Sequence, residues 1–342
     1  MHMADALISP AVGGTMWAAA GGLIAYSARK VSGEADERKV PLMGVLGAFV
    51  FAAQMMNFTI PGTGSSGHMV GGLLLAILLG PYAGFLVLAS VLTVQALFFA
   101  DGGLLALGCN IVNMGFFTCF AAYPLYRRLA GDGSRKGRVL AAAVAAAAFG
   151  MALGASGVVA DTVLSGVSEL PLGAFALLMV PIHLVIGVVE GVVTAGVVSF
   201  VLKARPELLS QAGPAPAAMS LRRLLLAFAA AAAVTGGALS WFASRAPERM
   251  DSAMPDMRPF PAARPGSVRA FLAGLQERTS FLPDYGFREP AGSAPAAGGS
   301  RWPSADGGTS LSGLVGGLFT LLLAGLAGLA LRRRRAPRAG PR

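Results

Sequence analysis

The sequence predicts an all-α polytopic membrane protein: a seven-helix bundle followed by a two-helix C-terminal hairpin. Three observations carry this reading. Of the 342 residues, 55% are hydrophobic and only 13% are charged, and the mean hydropathy is +0.65, whereas soluble domains carry about 25% charged residues. Apolar runs of spanning length recur along the chain. The basic residues collect in short segments between those runs, as they do in cytoplasmic loops. This composition excludes a water-soluble enzyme, a secreted disulfide scaffold and a disordered chain. The net charge of +10 then reads as topology, and no nucleic-acid partner is expected.

A spanning helix needs about 20 apolar residues. Such runs lie at 9–29, 41–60, 69–80, 82–100, 104–127, 137–164 and 174–203, and again at 222–243 and 313–331. The stretch from Val70 to Ala100 is divided at Gly80-Pro81, because proline ends a helix and lacks a donor. Its first half is short and belongs inside the bundle. The basic clusters are Arg29, Lys30, Arg38 and Lys39; Arg127, Arg128, Arg135, Lys136 and Arg138; Lys203, Arg205, Arg222 and Arg223; and Arg332, Arg333, Arg334 and Arg335. All fall on one side if the N-terminus is outside. The loops 61–68, 101–103 and 165–173 then face outward and hold no Lys or Arg. The positive-inside rule therefore places the N-terminus outside and the C-terminus inside. A cleaved signal peptide is not expected, since Asp5 and no basic residue precedes the first run.

Residues 1–203 read as one compact unit and 204–221 as a Pro/Ala-rich cytoplasmic linker. Residues 222–342 read as two spans around an external loop at 244–312. The loop's Pro, Gly, Ala and Ser content marks a segment that orders only on a partner. Cys109 and Cys119 share one apolar run and read as small buried hydrophobes. Small faces at Ala18/Gly22 and Ala141–Ala148 allow close helix packing, within the chain or against a partner subunit.

The candidate chemistry rests on three histidines, His2, His68 and His183. His2 follows Met1, so the α-amine, the next amide nitrogen and the imidazole can close fused chelate rings. The amide must lose its proton, which Ni²⁺, Cu²⁺ and Co²⁺ can drive, and such nitrogen donors favour a square-planar site. The alternative is an unordered terminal histidine. His68 ends the loop Gly62-Thr63-Gly64-Ser65-Ser66-Gly67 at the external face, where it either supplies a fourth nitrogen or stands in water at a helix start. His183 and Glu190 share a helix face at i and i+7; ionisable groups there either bind ligand or satisfy other buried groups. Asp101, Asn110 and Asn113 read as braces for loops or for a ligating imidazole. No P-loop, GxSxG or HExxH occurs, so neither nucleotide binding nor hydrolysis is expected. Two other classes stay open: a membrane redox protein using His68 and His183, and a ligand-free assembly factor working through its external loop.

Met1-His2-Met3-Ala4-Asp5, Asn57 with Gly62–His68, Asp101-Gly102-Gly103 with Asn110 and Asn113, and His183 with Glu190 together resemble the CbiM/NikM family. These are the substrate-binding (S) components of cobalt and nickel energy-coupling factor transporters. The resemblance covers about 1–203. It implies a seven-span S component that binds Co²⁺ or Ni²⁺ as transported substrate through the Met1 amine, the His2 amide and imidazole, and His68. Asn57, Asp101, Asn110, Asn113, His183 and Glu190 would then support the site. It further implies an energy-coupling transmembrane (T) subunit and separate ATP-binding subunits as partners, with ATP hydrolysed by them, in the cytoplasmic membrane of a bacterium and surrounded by lipid. The tail is similar to the small CbiN/NikN-type subunit. Its Pro283-Asp284-Tyr285-Gly286 looks like the signature of the PDGLE domain, with Tyr285 inserted and Leu-Glu absent.

Overall fold

Apolar runs become helices here because a membrane leaves the backbone no water to bond. The computed structural model describes residues 2–33, 38–60, 66–131, 133, 135–166, 172–209, 218–244, 264–288, 303 and 305–333. Met1, the loop tip 61–65, the linker centre 210–217 and much of the external loop, 245–263 and 289–302, lie outside the described residues.

The helices are α1 (Pro10–Gly33), α2 (Lys39–Gln54), α3 (Gly72–Leu79), α4 (Pro81–Phe99), α5 (107–130), α6 (Lys136–Leu164), α7 (Leu172–Ala204), α8 (Leu221–Gly237), α9 (Val268–Thr279) and α10 (Gly307–Arg333). Within α5, Ile111–Ala122 are wound as a π-helix. Of the described helices, Pro81–Phe99, Lys136–Leu164, Leu172–Ala204 and Gly307–Arg332 are long and apolar enough to cross a membrane. The protein is a multi-pass membrane protein.

Gly80, with φ +86°, separates α3 from α4, so the glycine–proline pair acts as its chemistry demands. The helix α3 is buried along its whole length. It packs on α4, with α5, α6 and α7 beyond it. On the other side, α2 packs against α8 and α10, so the two C-terminal helices are part of the bundle wall. Gly313 crosses Gly236 so closely that a Cβ there would stand 2.2 Å from the Gly236 carbonyl oxygen.

The segment 264–288 departs from the expectation of a partner-dependent loop. It forms α9, capped by Ser267 accepting from the Ala270 N–H at 3.2 Å, and a 3₁₀ turn Pro283–Tyr285. Composition hid this, because the contacts that order it come from α4 and the loop after it, far away in sequence. A two-residue ribbon pairs Phe58 with Gly67 and Thr59 with Ser66, closing the loop that carries His68.

The Ala-rich face of α6 meets α7 through two glycines. A Cβ at Gly187 would lie 2.5 Å from Ala148 Cα, and one at Gly191 2.3 Å from Val144 Cα. Ala143, Ala146 and Ala147 are buried here, so this small-residue face is used within the chain. Gly191→Ala is expected to destabilise the protein by about 1–3 kcal/mol through overpacking. Gly196→Ala, at an exposed position with nothing within 4 Å, serves as control. Thermal unfolding in detergent measures both, and equal melting temperatures would contradict the packing.

Candidate metal centre

The N-terminal residues 2–9 turn inward rather than into water. Met3 is fully buried, and Asn110 on α5 clasps its peptide from both sides. The Met3 N–H donates to Asn110 Oδ1 at 2.8 Å, and Asn110 Nδ2 donates to the Met3 carbonyl at 3.3 Å. Gly103 N–H donates to the same carbonyl at 2.9 Å. The side-chain amide thus pairs with a backbone peptide as a strand neighbour would. Asn113 Nδ2 lies 3.9 Å from the Met3 sulfur and donates to Asp161 at 2.8 Å. The Ala106 N–H donates to Asp5 Oδ1 at 3.0 Å. Residue 2 is therefore held on both flanks of the short turn that follows it.

This clasp delivers His2 to His68. The His2 Nδ1 and His68 Nε2 atoms are 3.3 Å apart, and the ring centroids 5.1 Å. Backbone carbonyls decide which nitrogens carry protons. His68 Nδ1 lies 2.8 Å from the Met69 carbonyl, which only accepts, so Nδ1 holds the proton and Nε2 keeps its lone pair. For His2 the decision passes through two glutamines. Gln54 Nε2 donates to the Val70 carbonyl at 2.7 Å, which turns Gln54 Oε1 toward Gln95. Gln95 Nε2 donates to that oxygen at 2.7 Å, which turns Gln95 Oε1 toward His2 Nε2 at 3.2 Å. His2 therefore donates from Nε2, and its Nδ1 is the nitrogen turned to His68 and Asp101, where it takes a metal or, without one, a proton shared with them. One nitrogen of each imidazole, from distant parts of the chain, is thus aimed at one place.

Asp101 completes the group, with Oδ1 3.6 Å from His2 Nδ1. Burial alone would push its carboxyl up, but the His2 imidazole and the Tyr285 hydroxyl outweigh that and hold it below the usual carboxylate range. Burial pushes the His68 imidazole down to about 4, so that ring is neutral at pH 7.

The remaining expected residues take other places. Glu190 accepts from the N–H groups of Val70 at 2.7 Å and Gly71 at 3.0 Å, one per carboxylate oxygen. It fixes the chain just after His68, where Gly71 takes φ +79°. His183 Nδ1 donates to the Met179 carbonyl one turn earlier at 2.8 Å. Asn57 accepts through its carbonyl from the Ser244 N–H at 2.7 Å and makes no bond to His2 or His68. Sequence reasoning overlooked Gln54, Gln95 and Tyr285. The two glutamines had a signal: each is an amide inside an apolar run, where polar groups are costly and serve a purpose. Among the described residues, no three His, Cys, Asp or Glu side chains are arranged to hold a metal ion.

Residues 2–208 match the family model of the CbiM cobalt uptake substrate-specific transmembrane region, and residues 222–333 match the PDGLE domain. A protein of Archaeoglobus fulgidus, provisionally named fused nickel transport protein NikMN, is 34% identical over 97% of this chain and 98% of its own. The fused nickel transport protein NikMN of Rhodobacter capsulatus is 35% identical over 61% of this chain and 64% of its own. The cobalt transport protein CbiM of Sorangium cellulosum is 36% identical over 52% and 80%. A crystal structure of a truncated transition metal transporter is similar with a TM-score of 0.53 at 32% identity, covering 59% of this chain and 98% of that one. The chain belongs to the CbiM family and carries a PDGLE domain in the same polypeptide.

Proposed function

We propose that this chain is the substrate-capture component of an ATP-driven energy-coupling factor importer for Ni²⁺ or Co²⁺. The ion is bound by the Met1 amine, the His2 amide and Nδ1, and His68 Nε2. The observation that carries the reading is the 3.3 Å approach of His2 Nδ1 to His68 Nε2, with both tautomers fixed by carbonyl acceptors. A metal–imidazole bond is about 2 Å, so neighbouring donors in a square plane stand about 2.8 Å apart and opposite ones about 4 Å. In a fused chelate from residues 1 and 2, His68 sits opposite the amide and beside the His2 imidazole. The observed separation suits that neighbour position after a small inward shift. Nδ1 is also the His2 nitrogen that closes a ring with its own amide. Two of the four donors are backbone nitrogens, so the set requires no cage of three side chains.

Charge balance supports the same set. Loss of the amide proton leaves a divalent ion with one net positive charge, and ionised Asp101 cancels it. A nearly neutral complex can be buried where a bare ion cannot. Asn110, Asn113 and Gly103 place the N-terminus, Gln95 sets the His2 tautomer, and Glu190 holds the His68 segment. The sequence holds no GxxxxGK(S/T) P-loop; ATP hydrolysis belongs to partner subunits, joined through a T component in the bacterial cytoplasmic membrane. The N-terminus lies outside and the C-terminus inside. The named nickel and cobalt transport relatives support either ion, and both accept these four nitrogens.

Protein purified with only a C-terminal tag is expected to hold near one Ni²⁺ or Co²⁺ per chain by mass spectrometry, and to lose it when one residue is added before Met1. Equal metal in the two forms would contradict the chelate. A second prediction concerns pH in the metal-free protein. Unfolded, His68 takes a proton near 6.5; folded, near 4. Across that window the unfolded chain binds more protons, so stability falls as pH drops. Denaturation in detergent from pH 7 to 4 should show wild type losing more stability than His68→Gln; parallel curves would sink the prediction.

A further inference from the structure

The loop 100–103 is gripped from two directions. From below, Gly103 donates to Met3 and Asp101 faces His2. From above, the C-terminal part reaches down onto the same few residues. Gln276 on α9 donates to the Ala96 carbonyl at 2.8 Å and to the Gly102 carbonyl at 2.7 Å. Tyr285 donates its hydroxyl to Asp101 Oδ2 at 2.5 Å, across 184 residues of sequence. The Tyr285 ring stacks on Phe99 at 5.1 Å and 18° and meets the edge of Phe51 at 6.3 Å. The hydroxyl is therefore aimed by packing on α2 and α4.

Backbone conformation marks both sides of this contact. Among the described residues, the non-glycine positions with positive φ are Ala100 at 54°, Asp284 at 50° and Tyr285 at 61°. One precedes Asp101, and the other two form the turn that presents the hydroxyl. Such conformations are costly and persist where surrounding contacts hold them.

We infer that the C-terminal part supplies a positioning residue to the metal centre: Tyr285, which acts through Asp101 on His2. This rests on the reading of the centre given above. Asp101 uses its two oxygens on different partners, Oδ2 on Tyr285 and Oδ1 on His2. Without the hydroxyl the carboxylate can rotate away from the imidazole, and the charge opposing the bound ion moves with it. Residues outside the donor set that orient ligands are typically worth about 10–100-fold in metal affinity.

The test uses the full chain with its native N-terminus and Ni²⁺ alone. Tyr285→Phe keeps the ring stacking and removes only the hydroxyl. It should weaken Ni²⁺ binding about 10-fold and shift the ligand-field absorption of the bound ion, while circular dichroism shows the metal-free protein keeping its helical fold. In an Asp101→Asn background the same change should cost nothing further, because the two residues act in series. Gln276→Met, which loosens the loop from the other side, should weaken binding in the same direction. Unchanged affinity and spectrum in Tyr285→Phe overturn the inference, as does a loss of equal size in the Asp101→Asn background. If the wild-type protein binds Ni²⁺ and Tyr285→Phe matches it, this inference alone falls. If the wild type binds none, the reading of the centre falls and takes the inference with it.

Discussion

The centre depends on the polarity of one line of hydrogen bonds. A backbone carbonyl cannot donate, so the Val70 carbonyl forces Gln54 to present its nitrogen. Gln54 then forces Gln95, and Gln95 forces the proton of His2 onto Nε2. Reverse any amide and the line meets itself donor to donor. The Met69 carbonyl does the same for His68 in a single step. The protein thus turns His2 Nδ1 and His68 Nε2 to the same place before any ion arrives. This matters because a late tautomer change would have to be driven from the binding energy of the metal.

The same line ties the centre to the bundle. Val70 offers its carbonyl to Gln54 and its N–H to Glu190, so one residue joins α2, α7 and the His68 segment. The fully buried α3 begins immediately beyond it. Its neighbours pack through Ala and Gly faces that leave no room for sliding. A bundle this close-packed suits a site whose donors must meet within fractions of an ångström. On the outer side, α9 and the Pro283–Tyr285 turn reach the loop after α4. Loop 100–103 is therefore the meeting point of the N-terminal and C-terminal ends of the polypeptide.

Much of this was legible in the residues. Hydrophobic run length places a helix on each run, with one end of α2, α8 and α10 differing by six residues, and Gly80-Pro81 marks the α3–α4 break because its chemistry permits little else. His2 and His68 stand out through scarcity and the special geometry of a second-position histidine. Asn110 and Asn113 read as braces, and both touch residue 3. What could not be read was pairing at long range. Nothing local connects Gln54 with Gln95, or Tyr285 with Asp101, since each bond forms only after distant helices pack. Residues 264–288 differ from expectation for the same reason: their composition is that of a loop, and their order comes from Phe98, Phe99 and the carbonyls of the α4 end. The π-wound part of α5 has no periodicity signal in a uniformly apolar run.

The most direct test of the central claim is X-ray absorption at the nickel edge of the loaded, native protein. A chelate of the Met1 amine, the His2 amide and the His2 and His68 imidazoles gives four nitrogen scatterers in a square-planar field, with the outer-shell pattern of two imidazoles. A sulfur scatterer from a methionine, or a six-coordinate oxygen shell, would contradict it.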